Sequence, residues 1–146
     1  MNERDTVQRF IEQRWSPYLL AVLRIITGLL FLSHGIVKVL GFPEGAGSGQ
    51  VPLVSLFGIA AFLELVGGSA TILGLFTRSV AFVLAGQMAV AYFWMHLPAS
   101  FFPLLNHGEA AILFCFIFLY LAAAGPGAMS IDAVRSKIAA PTDGHV

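Results

Sequence analysis

Residues 18–40 read YLLAVLRIITGLLFLSHGIVKVL, a stretch of 23 residues with only Arg24, His34 and Lys38 to interrupt an otherwise apolar or small composition. About 20 apolar residues in a helix rising ~1.5 Å each cross the ~30 Å hydrocarbon core of a bilayer. The stretch therefore predicts a transmembrane helix. Three further apolar runs follow, at Leu53–Phe76, Ser79–Leu97 and Gly108–Ala124. They are separated by helix breakers: Pro43 with the glycines from Gly45 to Gly49 and Pro52, then Thr77-Arg78, then Pro98 and Pro103. Four crossings bring the chain back to the side on which it started. The expected fold is an all-α transmembrane four-helix bundle with both termini cytoplasmic.

Composition excludes the main alternatives. Of the 146 residues, 58% are hydrophobic and 11% charged, whereas soluble domains carry roughly 25% charged residues. Net charge is zero, and no basic block or zinc-finger spacing points to nucleic acid. The single cysteine, Cys115, lies in an apolar run, reads as a buried structural thiol and excludes an internal disulfide. Arg4, Arg9 and Arg14 precede the first run as in a signal peptide. That run is too long and lacks a small-x-small cleavage site, so it reads as an uncleaved span.

Residues 1–16 form a cytoplasmic segment, 17–125 the membrane domain and 126–146 a cytoplasmic tail. Ser16-Pro17 reads as a cap and first-turn pair for span one. Val7, Phe10, Ile11 and Trp15 recur at helical spacing, which suggests a short helix on the membrane surface, with a frayed tail as the alternative. Arg4, Arg9, Arg14, Arg78, Arg135 and Lys137 gather on one side and Lys38 alone lies toward the other; the positive-inside rule places the first side in the cytoplasm. Gly125-Pro126-Gly127 ends the last span, and one polar helical turn is expected at Ser130–Lys137, with Asp132 near its start.

Ionisable side chains cost about 2.5–3.5 kcal/mol each at the centre of a span, so those that remain face protein or water and often mark a function. Arg24 lies roughly 9 Å into span one from the cytoplasmic side and Glu64 roughly 16 Å into span two from the other. Their depths differ by a few ångströms, and the expectation is that they pair inside the bundle. The pair either fixes helix register or lines a ligand or proton site, to which Gln87 at similar depth on span three adds a polar group.

A second polar cluster is expected near the outer face: His34 and Lys38 one turn apart, His96 at the end of span three, and His107 and Glu109 opening span four. Arg24, His34 and Lys38 share an arc of about 80° at ~100° per residue, so one inward face carries all three. Histidines and a carboxylate at one depth could bind a metal or haem, but no tight ligand spacing supports either, and neither is expected. Solvation at the interface competes with hydrogen bonding or proton exchange to an aromatic head group. Ala60, Ala61, Gly67, Gly68 and Thr71 around Glu64 let helices approach closely, or leave a flat slot for a planar ligand. The aromatic residues of span four carry no assigned chemistry; Trp15, Tyr92 and Trp94 read as interface anchors.

The pattern Arg24-x3-Gly28-x2-Phe31-x2-His34-Gly35-x2-Lys38 resembles the first-span signature of the DoxX family of small bacterial membrane proteins. Glu64-x2-Gly67-Gly68-x5-Gly74 followed by Thr77-Arg78 resembles its second-span motif, and Asn106-x-Gly108-Glu109 its fourth. One departure is His107, where a glycine is more usual in the family. The resemblance implies a four-span bundle in the bacterial inner membrane. It also implies, for some members, a part in quinone-linked redox complexes, including thiosulfate oxidation, and in handling quinones or oxidative stress.

Three functions follow as expectations. The first is a component of a membrane redox system that holds a quinone or small aromatic ligand between its helices. Its ligand-binding residues would be Arg24, His34, Lys38, Glu64, Gln87, His96 and Glu109, with no catalytic residue assigned. Lacking a dinucleotide, flavin or iron–sulfur motif, the chain would draw electrons from a substrate or a redox partner protein. The second is a non-enzymatic membrane subunit that docks a partner. The third is a small-solute transporter acting as a homo-oligomer, which broken helices at the midplane would favour.

Overall fold

A computed structural model describes residues 14–46 and 49–139, all helix, turn or loop without a strand. Helix α1 spans Ser16–Leu40, α2 Leu56–Leu73 and α3 Thr77–Ala91, which continues as a π-helical turn over Tyr92–His96. A short α4 at Pro103–Asn106 precedes α5 at Glu109–Ala124, and α6 covers Ile131–Ala139. Three helices, Ser16–Leu40, Leu56–Leu73 and Thr77–His96, are long and apolar enough to cross a membrane. The fourth apolar helix, α5, has 16 residues, about 24 Å at ~1.5 Å per residue. Together they form the transmembrane bundle. The surface helix expected around Val7–Trp15 falls mostly outside the described residues.

The four long helices are organised as two pairs, α1 along α2 and α3 along α5. The α1–α2 seam is set by glycine. A Cβ on Gly28 would meet Ile72 and the Gly68 carbonyl, one on Gly35 would meet Leu65 and the Ala61 carbonyl, and one on Gly68 would press on Leu32. This close approach fixes which residues of the two antiparallel helices lie level with each other. The second pair is joined to the first by aromatic contacts. Phe31 of α1 lies 4.9 Å from Phe118 and 5.4 Å from Phe114 of α5, edge to face. Leu84, Met88 and Leu121 complete that core.

The seam overturns the expected Arg24–Glu64 pair. Arg24 lies opposite the end of α2, not its middle, and is fully buried. Its Nη1 donates to the carbonyls of Thr71, at 2.6 Å, and Ile72; its Nε donates to Pro126 at 2.8 Å and its Nη2 to Met129 at 2.8 Å. The last carbonyls of a helix have no partner within it and carry its negative dipole end, so a guanidinium there satisfies acceptors and complements charge together. Counting depth from the predicted span ends missed this because α2 begins at Leu56, after the Ser55 side chain accepts the Gly58 N–H at 3.1 Å, not at Leu53. Ser16 is likewise not a cap: α1 starts there, but Trp15 occupies the cap position with no side-chain bond, and Pro17 sits in the first turn.

Two more helix ends on this side are capped by charges from other elements. Asp132 of α6 accepts the Phe76 N–H at 2.9 Å, the Thr77 N–H at 2.8 Å and the Thr77 hydroxyl at 2.9 Å, closing the N-terminus of α3. Arg78 donates to the carbonyls of Ala122, at 3.0 Å, and Ala123 at the end of α5. The expected polar turn is α6, whose first turn is held by Ser130 accepting the Ala133 N–H at 3.1 Å. The start of α1, where the Pro17 carbonyl accepts from Ala128 at 2.9 Å, and the tail thus share one end of the bundle. That is the end which the charge count assigns to the cytoplasm.

Burial opposes ionisation of Asp132, but the Thr77 and Phe76 donors and nearby Arg135 outweigh it and hold the carboxyl below its usual range. Its contribution is complete above the ordinary carboxylate pKa of about 4 and is lost as pH falls through the lower folded value. Asp132→Ala is expected to cost about 0.5–2 kcal/mol at neutral pH and to flatten the acid limb of the stability profile, measured by thermal unfolding in detergent between pH 2 and neutrality. Arg24→Leu strands several buried carbonyls at about 1–3 kcal/mol each and should lower the unfolding midpoint far more.

Candidate binding site

Toward the other end of the bundle the two helix pairs enclose a cavity of about 730 Å³, within the roughly 300–1,000 Å³ of small-molecule sites. Most of its wall is apolar, with Phe31, Leu63, Val83, Val90, Trp94 and Phe114 among the lining residues. Its polar lining comes from His34, Lys38, Glu64, Gln87, His96 and His107.

The register that separates Arg24 from Glu64 brings Lys38 to it instead. Lys38 Nζ stands 2.5 Å from Glu64 Oε1, with the Glu64 side chain 3% exposed and that of Lys38 21%. From α3, Gln87 Nε2 donates to the Ala60 carbonyl at 3.2 Å and to Glu64 Oε1 at 3.4 Å. Both of these neighbours are acceptors, which fixes the amide orientation and leaves Gln87 Oε1 pointing elsewhere. Glu64 Oε2 and Gln87 Oε1 are both buried and, among the described residues, neither has a hydrogen-bond partner. Buried polar atoms in folded proteins nearly always find one. Two orphaned acceptors beside a lysine ammonium are therefore the chemically distinctive part of this cavity.

At the mouth, His34 is exposed, with its ring 5.8 Å from that of Phe114. The π-helical turn, closed by the Leu97 N–H on the Tyr92 carbonyl at 2.9 Å, presents Trp94, Met95 and His96 to the cavity; such turns recur at functional sites. His96 Nδ1 donates to the Asn106 carbonyl at 2.9 Å, so in the neutral ring Nε2 is the acceptor. Asn106 is buried and shapes the loop, donating to Ser100 at 2.7 Å and accepting the Gly108 N–H at 2.7 Å.

Five of the seven expected ligand-binding residues, His34, Lys38, Glu64, Gln87 and His96, line one cavity. Arg24 and Glu109 do not. Arg24 is committed to helix ends, and Glu109 is exposed in the first turn of α5, where a carboxylate favours the positive end of the helix dipole. Among the described residues no three His, Cys, Asp or Glu side chains are grouped as metal ligands. Sequence reasoning did not single out the apolar wall or Gly86. The spacing Val83, Gly86, Val90 and Ala91 along α3 was the available signal, readable as one helix face.

Comparison with known proteins decides the family, since the DoxX profile matches residues 19–97. The chain belongs to the DoxX family. An uncharacterized protein of Haemophilus influenzae is 42% identical over 125 residues, covering 82% of this chain and 92% of that protein. A Bacillus subtilis protein named "Putative oxidoreductase CatD" is 33% identical over 115 residues, covering 76% of this chain and 82% of its own. The Escherichia coli inner membrane protein YqjF is 31% identical over 131 residues, covering 80% and 91%. No solved structure matches. The chain is accordingly a multi-pass inner-membrane protein.

Membership clarifies two motif positions. The DoxX first-span lysine and second-span glutamate are the two halves of one ion pair here, Lys38 and Glu64. His107, where the DoxX pattern more usually carries glycine, has φ 56, the left-handed region that glycine enters freely and other residues at a cost. Histidine holds this strained position while lining the cavity.

Removing one partner of the buried pair leaves an uncompensated charge. Lys38→Met is expected to destabilise the protein by about 3–5 kcal/mol, and the double variant Lys38→Met/Glu64→Gln to recover much of that loss. A double-mutant cycle of unfolding free energies in detergent checks this.

Proposed function

We propose that the protein is a component of a quinone-linked membrane redox system and holds a quinone, or a related small aromatic ring, in the cavity between its helix pairs. The observation that carries this reading is the juxtaposition at one polar end of a donor, Lys38, with two unpartnered buried acceptors, Glu64 Oε2 and Gln87 Oε1, above an otherwise apolar chamber. A quinone ring presents carbonyl oxygens that accept hydrogen bonds when oxidised and hydroxyls that donate them when reduced. A site with both donors and acceptors suits either form, and the apolar wall suits the ring.

Redox chemistry is supported by the name of the B. subtilis relative, "Putative oxidoreductase CatD". Electrons would be exchanged with a redox partner protein or substrate, since the sequence carries no dinucleotide fingerprint. Lys38 and Glu64 bind and orient the ring, and His34 at the exposed mouth can exchange a proton with water. Within the described residues the long helices run without a break at the midplane, so nothing favours the transporter reading.

The full chain, purified in mild detergent, is expected to carry a quinone detectable by native mass spectrometry, and to bind added menadione saturably. Glu64→Gln and Gln87→Leu each remove an acceptor that only the hydroxyls of the reduced ring can fill. They should weaken binding of menadiol, measured anaerobically, about tenfold or more, the worth of a hydrogen bond to a charged or buried group, and menadione much less. Wild-type protein that neither retains nor binds a quinone would refute the reading; an empty bundle that co-purifies with one partner would point to a docking subunit, and a Soret band to haem.

A further inference from the structure

The cavity is not closed on the side where α2 and α3 face each other. These helices are joined by the tight turn at Gly74–Phe76, and Gly67 packs against Leu84 near it. Ile59 of α2, far from the turn, and Val83 and Val90 of α3 line the cavity yet are 60%, 52% and 54% exposed. Exposure this large on lining residues of both helices marks a gap in the bundle wall between α2 and α3. In a spanning protein that wall faces acyl chains.

Gly86 sits in this opening, next in sequence to Gln87 and therefore at the depth of the polar end. Glycine weakens a helix interior relative to alanine, so a glycine there calls for a packing reason. Gly28, Gly35, Gly67 and Gly68 each have one, because a Cβ at any of them would strike the neighbouring helix. At Gly86 a Cβ would meet nothing within 4 Å. The space beside this exposed glycine borders the chamber in which buried Glu64 Oε2, among the described residues, lacks a partner.

We infer that the α2–α3 opening across Gly86 is a lateral slot in which the apolar tail of a lipid-borne ligand lies while its ring occupies the polar end. Gly86 is then the residue that sets specificity for tailed over tailless ligands. This inference rests on the quinone-binding reading and adds to it the class of quinone taken, one delivered from the bilayer with a chain attached. The polar end fixes the ring, and the flanking Ile59, Val83 and Val90 offer the chain an apolar bed.

The test compares two ligands with the same ring, menadione without a tail and phylloquinone with a phytyl tail. Trp94 lines the cavity; with Trp15→Phe as background it is the one remaining tryptophan of the chain's 2, so its quenching by bound quinone reports occupancy in lipid nanodiscs. Expected is saturable quenching by both ligands in that background. Gly86→Leu should weaken phylloquinone at least tenfold and menadione less than about threefold, while Gly86→Ala changes neither ligand much. Leucine is the better helix former, so Gly86→Leu should melt no lower than its parent. Should it fail to fold, Ile59→Phe on the facing lip makes the same block and carries the same expectation.

Equal affinity of Gly86→Leu for phylloquinone would overturn the slot, as would an equal loss of both ligands, which would make Gly86 part of the ring site. Native mass spectrometry showing a phospholipid retained by the parent and lost from Gly86→Leu, with phylloquinone unaffected, would overturn it in favour of a lipid chain as occupant. Failure of both ligands to bind the parent would instead strike the underlying quinone reading, and the slot with it.

Discussion

The buried guanidinium of Arg24 is the constraint on which the arrangement depends. A fixed charge inside a membrane protein must find partners, and Arg24 finds them in backbone carbonyls at the end of α2 and in the 126–129 turn. Five N–H donors in a rigid fork can serve several acceptors at once, which a lysine could not do with the same geometry. Because Arg24 is satisfied wholly by backbone, it makes no demand on the carboxylate of Glu64. Glu64 is left to Lys38 and Gln87, and one of its oxygens is left without a partner inside a chamber. The two ends of α1 thus have different tasks: the Arg24 end closes helices, and the Lys38 end holds a chemically unsaturated pocket.

The division between ends also follows from how the helices pair. Glycine contacts draw α1 tightly onto α2, while Phe31 bridges to Phe114 and Phe118 of the other pair. Large rings between pairs keep them apart where small residues would have let them collapse. At the Gly74 turn α2 and α3 are held together by the chain itself; away from it, among the described residues, the Gln87 bonds to Ala60 and Glu64 link them. A tight seam on one side and a spaced one on the other leaves room in the bundle without a break in any long helix.

Much of this was legible in the sequence. Hydropathy and the Pro and Gly breakers gave four spans within a few residues of those observed, because burial of backbone in lipid leaves helices as nearly the sole choice for an apolar chain. The polar residues stood out against the apolar spans, and the shared face of His34 and Lys38 follows from helical periodicity alone. Partnership was not legible. Which residues of two antiparallel helices lie level depends on a glycine seam, and Lys38, which meets Glu64, lies about four turns along α1 from Arg24. The capping roles of Arg78 and Asp132 were hidden for a related reason: each completes a helix far away in sequence, where local patterns carry no signal. His107 stood out only as a departure from a resemblance, and it takes a positive φ that glycine adopts freely.

The helix ends on the Arg24 side are each finished by a side chain or carbonyl from elsewhere in the chain, and the latest contributors lie between Pro126 and Asp132. The order of synthesis therefore matters. When α1 and α2 have already entered the bilayer, Arg24 has only its α2 carbonyls, and the 126–129 carbonyls and the Asp132 carboxylate that Thr77 donates to emerge after the last span. The first helical hairpin can close along its glycine seam, but its Arg24 end is completed only when the final stretch of the chain arrives. What looks like a short polar appendage is in effect the latch of the assembly.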